Sequence, residues 1–229
     1  MNTKHKKPTL TKKQRHKLRV QQVRRQKIFL TCLFLLIVGC ILLRFSKFSG
    51  RQKETHQINA ACEAYRDEVS SEAAQYDMSK YVDLILAVMM QESSGQGTDP
   101  MQSSEGAYNT RYPQQPNGIT DPSYSISCGI QELKYALEKA VCTGPTDLSK
   151  IRLALQAYNF GADSYFAYLE ENGQTVWTAQ SAQAFAQMAS GGTQRDEDDP
   201  LHDPAGPWDY GDQYYPDHVL RYYHLDNNS

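Results

Sequence analysis

Two acids, Glu92 and Asp99, stand seven residues apart where an apolar segment gives way to a Gly- and Pro-rich one. Glu92 closes the run Leu-Ile-Leu-Ala-Val-Met-Met-Gln-Glu at residues 84–92. Wound as a helix, that run places Ile85, Val88, Met89 and Glu92 on one face, at i, i+3, i+4 and i+7. A carboxyl group that continues a core-facing stripe loses hydration, which disfavours its charged form and raises its pKa. An acid kept protonated near neutral pH in an apolar cleft is the proton donor that glycoside cleavage requires. The competing reading is a glutamate that points into water at a helix end, the commoner fate of this residue type. Asp99 has two readings of equal weight on chemistry alone. It is a turn-forming aspartate before Pro100, or the second carboxylate of an inverting pair, which sits roughly 6.5–9.5 Å from the first. Seven residues of chain span that distance easily.

The elements that must position these groups are helical. Ala61, Tyr65, Val69 and Ala73 recur at every fourth residue and predict a helix over 58–76, with a second over 80–94. Residues 95–122 hold four Pro and four Gly, a long loop that directly follows the acid and is expected to form one wall of a cleft. Asp121-Pro122-Ser123 resembles a helix entry. Ile130, Leu133, Ala136, Leu137 and Ala140 then share one face of a helix over 129–141. Further helices are expected over 148–159, 164–171 and 179–189, and an aromatic cluster with a short helix closes the chain over 208–223. No segment shows the period-two alternation of a half-buried strand, so the fold class is mostly α.

Charge divides the chain in two. Residues 1–53 carry 15 Lys or Arg and no acid, whereas 54–229 carry 9 basic and 26 acidic residues, a balance of −17. All 15 tyrosines and both tryptophans lie in the second part, where a folded core belongs. Residues 28–43 are uncharged and apolar, and Phe45 and Phe48 extend them. Eleven basic residues precede this segment and place its N-terminal side in the cytoplasm. The expected organisation is a basic cytoplasmic tail (1–27), a single transmembrane anchor (28–45), a stalk (46–57) and an extracellular domain (58–225) on the cell-wall side of the membrane. The competing reading is a cleaved signal peptide, against which stand the long basic region and the absence of a small-residue cleavage site close behind it. Position directly before an apolar segment argues for topology over nucleic-acid binding as the purpose of the basic run. Cys62, Cys128 and Cys142 form no even disulfide framework, and no His or Cys pair stands at metal-ligand spacing. No metal or cofactor is expected. The acidic loop over 191–207 reads as a solvated charge run rather than a calcium loop.

Three motifs then occur in order: Glu92-Ser93 at the end of an apolar helix, Gly129-Ile130-Gln131, and Ala157-Tyr158-Asn159-Phe160-Gly161. This series resembles the lysozyme-like superfamily, in particular goose-type lysozymes and soluble lytic transglycosylases, with the middle motif shortened from Gly-x-x-Gln. The resemblance is closer still to the bacterial goose-lysozyme-like muramidases of Gram-positive cells and their conjugative elements. It rests on residues 91–95 (Gln-Glu-Ser-Ser-Gly), 99–105 (Asp-Pro-Met-Gln-Ser-Ser-Glu), 116–122 (Pro-Asn-Gly-Ile-Thr-Asp-Pro) and 218–223 (His-Val-Leu-Arg-Tyr-Tyr), and covers roughly 60–224.

The resemblance implies a peptidoglycan hydrolase that cleaves the β-1,4 bond between N-acetylmuramic acid and N-acetylglucosamine. Glu92 would be the general acid and Asp99 the second carboxylate. Ser93 and Ser94 would orient Glu92 or bind sugar, Gln131 would hydrogen-bond the substrate, and Tyr158 and Asn159 would face the cleft. No role follows for Glu105. The peptidase domain of some members is not expected here. Partners would be glycan strands, the membrane through the N-terminal helix, and the proteins of a secretion or conjugation channel. The rivals are a lytic transglycosylase, which needs no second carboxylate because the sugar's 6-hydroxyl completes the reaction, and a non-catalytic wall-binding component on the same fold.

Overall fold

The computed structural model describes residues 56–199 and 202–225. The expected membrane segment at 28–45 lies outside them, and no helix among the described residues is long and apolar enough to cross a membrane. Those residues form eight α-helices: α1 (Ala60–Glu63), α2 (Arg66–Gln75), α3 (Val82–Glu92), α4 (Pro122–Lys139), α5 (Leu148–Phe160), α6 (Ala162–Glu171), α7 (Ala179–Ala189) and α8 (Tyr215–Leu220). A 3₁₀ turn, Ser79–Tyr81, leads into α3. No strand occurs among the described residues; a single bridge joins Gln194 and Trp208.

The helix expected over 58–76 is two helices. Asn59 caps α1 by accepting a hydrogen bond from the Cys62 amide, and the chain then tightens as the Tyr65 amide bonds the Cys62 carbonyl. The reason is a docking contact. The Asn59 amide donates to the Ser94 carbonyl at 2.9 Å, so α1 is held against the far end of α3 rather than continuing into α2. The helix expected to begin near Gly129 instead starts at Pro122. Asp121 accepts hydrogen bonds from the Ser123 and Tyr124 amides, and the proline occupies the first turn, where its missing N–H costs nothing.

Helix α5 is the centre of the domain and packs against α4, α6 and α8, while α3 packs against α2 and α8. Leu84, Ile85, Leu86, Ala87, Val88 and Met89 of α3 are all fully buried. The apolar face of α3 is thus wider than one stripe, and burial on this scale is what fixes Glu92 at its end. Phe160, Tyr165 and Phe185 pack with ring centres 5.2–5.3 Å apart, Tyr165 edge-on to both phenylalanines, and join α5, α6 and α7. Among the described residues Cys62, Cys128 and Cys142 are free thiols, so none of the three pairs with another.

Candidate active site

Glu92 sits at the last residue of α3, half-buried, in the wall of a cleft of about 710 Å³. The other walls come from distant parts of the chain: Asn159 of α5, Arg195 of the acidic loop, and Asp212, Tyr215 and His218 around α8. The Tyr215 hydroxyl donates a hydrogen bond to Glu92 Oε1. Burial pushes the Glu92 carboxyl up to about 7, opposed by the Tyr215 hydrogen bond and helped by the negative charges of Asp212 and Asp99. Glu92 therefore holds its proton through much of the range in which a neutral-pH general acid must work.

Tyr215 is buried and stacks on Tyr158, with ring centres 6.3 Å apart. Tyr158 in turn donates to the Met101 carbonyl at 2.9 Å, which ties α5 to the loop that follows Glu92. Tyr158 thus braces the ring that holds Glu92. That loop approaches α4 closely because residue 129 is glycine: a Cβ there would come within 2.6 Å of Met101 Cβ.

Asp99 is only 1% exposed, and both its oxygens are fully engaged. Oδ1 accepts from the Ser103 amide at 3.0 Å and the Ser125 hydroxyl at 2.6 Å. Oδ2 accepts from the Ser104 amide at 3.1 Å and the Ser104 hydroxyl at 2.5 Å. Through Ser104 the network reaches the Ile119 amide, at 2.8 Å, so Asp99 gathers both ends of the loop around itself.

The remaining expected residues divide. Asn159 lines the cleft, with its Oδ1 accepting from the Asp212 amide at 2.7 Å. Ser93 closes the turn after α3, donating to the Pro100 carbonyl at 2.8 Å while accepting from the Gly95 amide at 3.1 Å. Ser94 takes a left-handed conformation (φ 55°) and bonds back to the Met90 carbonyl at 3.3 Å. Gln131 is not brought to Glu92. It donates to the Ser127 carbonyl at 3.1 Å and lines a separate polar groove with Tyr76, Tyr108 and Tyr124. Glu105 is exposed on the loop.

Several further residues belong to the site without a role expected from sequence. Tyr215, Asp212 and His218 come from the C-terminal segment, whose His-Val-Leu-Arg-Tyr-Tyr motif was visible without any role for its members. Gln156, fully buried, donates to the Asp212 carbonyl at 2.8 Å and accepts from the Trp177 indole at 2.9 Å. Its place on the buried face of α5 was the available signal. Glu132 of α4 is a further acid that burial pushes up to about 7, and its Oε1 has no hydrogen-bond partner. Among the described residues no cluster of acids, histidines and cysteines could hold a metal ion.

Comparison with known proteins agrees with this architecture. Residues 60–223 match the family model described as lysozyme-like. The chain is 34% identical over 169 residues to the bifunctional muramidase/DL-endopeptidase CwlT of Bacillus subtilis, covering 74% of this chain and 44% of CwlT. It is 40% identical over 115 residues to the membrane protein YocA of the same organism, covering 48% of this chain and 45% of YocA. It thus spans less than half the length of either relative. A crystal structure from Staphylococcus aureus Mu50, of a protein similar to a lipoprotein of the NLP/P60 family, superposes with a TM-score of 0.62 at 27% identity. That match covers 76% of this chain and 56% of the other.

Proposed function

Because the chain belongs to the lysozyme-like family, we propose that it cleaves the β-1,4 bond between N-acetylmuramic acid and N-acetylglucosamine in peptidoglycan, with Glu92 as proton donor. One observation carries the reading: a carboxyl pushed up to about 7 stands in the wall of a cleft, with a buried tyrosine hydroxyl on one oxygen. The other oxygen of Glu92 is left to meet the glycosidic oxygen. Proton transfer there makes the departing sugar a neutral alcohol, and general acids of this kind contribute about 10²- to 10⁴-fold. The likeness to CwlT, a muramidase by name, supports the choice of substrate.

Asp99 takes a different role from the one expected of it. With four donors on its two oxygens and almost no exposure, it has no free lone pair for a water. It shapes the loop beside Glu92 and adds a fixed negative charge that favours the protonated acid. The same saturation supports a second reading, lytic transglycosylation, in which the muramic acid 6-hydroxyl attacks and no base for water is required. Mass analysis of digested, purified peptidoglycan separates the two. Reducing muramic ends mark hydrolysis and 1,6-anhydro ends mark transglycosylation. Loss of neither intact strands nor cross-linked mass would refute both.

The anchor at 28–45 completes the proposal: a tether would hold a domain of strongly negative charge beside an anionic wall that repels it. Protease added to cells stripped of their wall should remove residues beyond about 55 and spare an N-terminal tag. A secreted form beginning near residue 50 would refute the tether.

A further inference from the structure

The cleft holds a second carboxylate that is both accessible and fixed. Asp212 is 28% exposed at its side chain, against 1% for Asp99. Every polar group of Asp212 has a partner that restrains it. The Asn159 amide oxygen takes its N–H at 2.7 Å, and Gln156 donates to its carbonyl at 2.8 Å. The Tyr214 amide donates to Oδ1 at 2.9 Å, and His218 Nδ1 lies 2.5 Å from Oδ2. Gly211 allows this approach, since a Cβ there would meet Asn159 Oδ1 at 2.7 Å. A surface aspartate with no task does not need two side chains of the central helix to hold its backbone. Pre-organisation of this kind is what a group must have to act on a reacting atom.

We propose that Asp212 is the carboxylate that activates the attacking water, and that His218, Gln156 and Asn159 are its positioning residues. This rests on the glycosidase reading above. In the step, the bond from muramic C1 to the bridging oxygen breaks as Glu92 gives that oxygen its proton. The water oxygen bonds to C1, and the proton it sheds passes to Asp212. The pair ends with Glu92 ionised and Asp212 protonated, and exchange with solvent resets both. Each Asp212 oxygen accepts one hydrogen bond within the protein, and a carboxylate oxygen has room for a second.

The arrangement also links the two acids. Glu92 is faced by Asp212 and Tyr215 from the C-terminal segment, by Asp99 from the loop, by Tyr158 from α5 and by Glu132 from α4. Removing the Asp212 charge withdraws one of the influences that keep Glu92 protonated.

The test uses the full-length protein on purified peptidoglycan, with reducing and anhydro ends counted by mass spectrometry. Asp212→Asn keeps the shape and the Tyr214 hydrogen bond. Release of reducing ends should fall by about 10²-fold or more, and the alkaline limb of the residual activity should move to lower pH. Added formate should restore part of the rate to Asp212→Ala. His218→Ala should lower kcat with little change in KM, and His218→Gln, which can still donate to Oδ2, should recover most of the loss. A merely structural Asp212 would shift the limb through its charge alone but would give no formate rescue. Near-parental release of reducing ends by Asp212→Asn overturns the proposal, as do purely anhydro products from the unmutated protein. Glu92→Gln run beside it separates the failures. If that variant is inactive while Asp212→Asn is active, only the role of Asp212 falls; if Glu92→Gln is active, the whole site falls with it.

Discussion

Replacing Glu92 by glutamine should make the protein more stable at alkaline pH while abolishing its chemistry. Burial raises the Glu92 carboxyl from 4.5 to about 7 in the folded state. Between those values the folded chain binds a proton that the unfolded chain has lost, so stability falls as pH rises through the interval and stays lowered above it. At about 1.4 kcal/mol per unit, the full shift corresponds to roughly 3 kcal/mol; water entering the open cleft reduces this to about 1–3 kcal/mol. Glutamine keeps an oxygen for the Tyr215 hydroxyl and carries no charge at any pH. The difference in unfolding free energy between Glu92→Gln and the parent should therefore be flat below pH 4.5, grow in favour of the variant up to about pH 7.5, and then level off. Urea unfolding followed by the fluorescence of Trp177 and Trp208, at half-unit steps from pH 4 to 9, measures this directly. Glu132 titrates in the same window in both proteins, so the difference curve isolates Glu92 apart from their mutual repulsion. A difference that stays constant across the range would refute the raised acid, and with it the assignment of Glu92 as proton donor.

Three further outcomes follow from the same geometry. Tyr215→Phe removes a hydrogen bond that favours ionised Glu92, so the alkaline limb of kcat/KM should rise by about one to two units, given roughly 1.5–3 kcal/mol for such a bond; an unmoved limb in pH–rate profiles would count against the contact. Asp99→Asn turns an amide N–H₂ toward donors in a buried network and should cost about 1–3 kcal/mol of stability, together with activity, both read by unfolding and digestion assays. Gly129→Ala drives a methyl into Met101 and should cost about 1–3 kcal/mol, while lowering activity through the displaced loop.

The sequence carried the helices and the acid because both depend on local pattern. The Ile85, Val88 and Met89 stripe announces the burial that raises Glu92, and Asp121-Pro122 announces the start of α4. The split between α1 and α2 was illegible because it serves a contact with residue 94, far along the chain. Asp99 could not be assigned from its neighbours alone, since its role depends on Ser125, 26 residues away. Gln131 follows a motif into the right helix but faces another groove. Tyr215, Asp212 and His218 were hidden for the same reason in its strongest form: Tyr215 meets Glu92 across 123 residues of sequence. Periodicity assigns a residue to a face, and only packing decides what that face meets.

The bond between Tyr215 and Glu92 also sets a timetable. A chain made or exported from its N-terminus exposes Glu92 long before α8 exists. Until α8 docks, Glu92 lacks the Tyr215 hydroxyl on its Oε1 and the Asp212 charge that favours its protonated form. On the glycosidase reading, a partly emerged or C-terminally clipped chain should therefore spare the wall beside it. The surroundings of Glu92 are complete only once the last helix has closed onto the third.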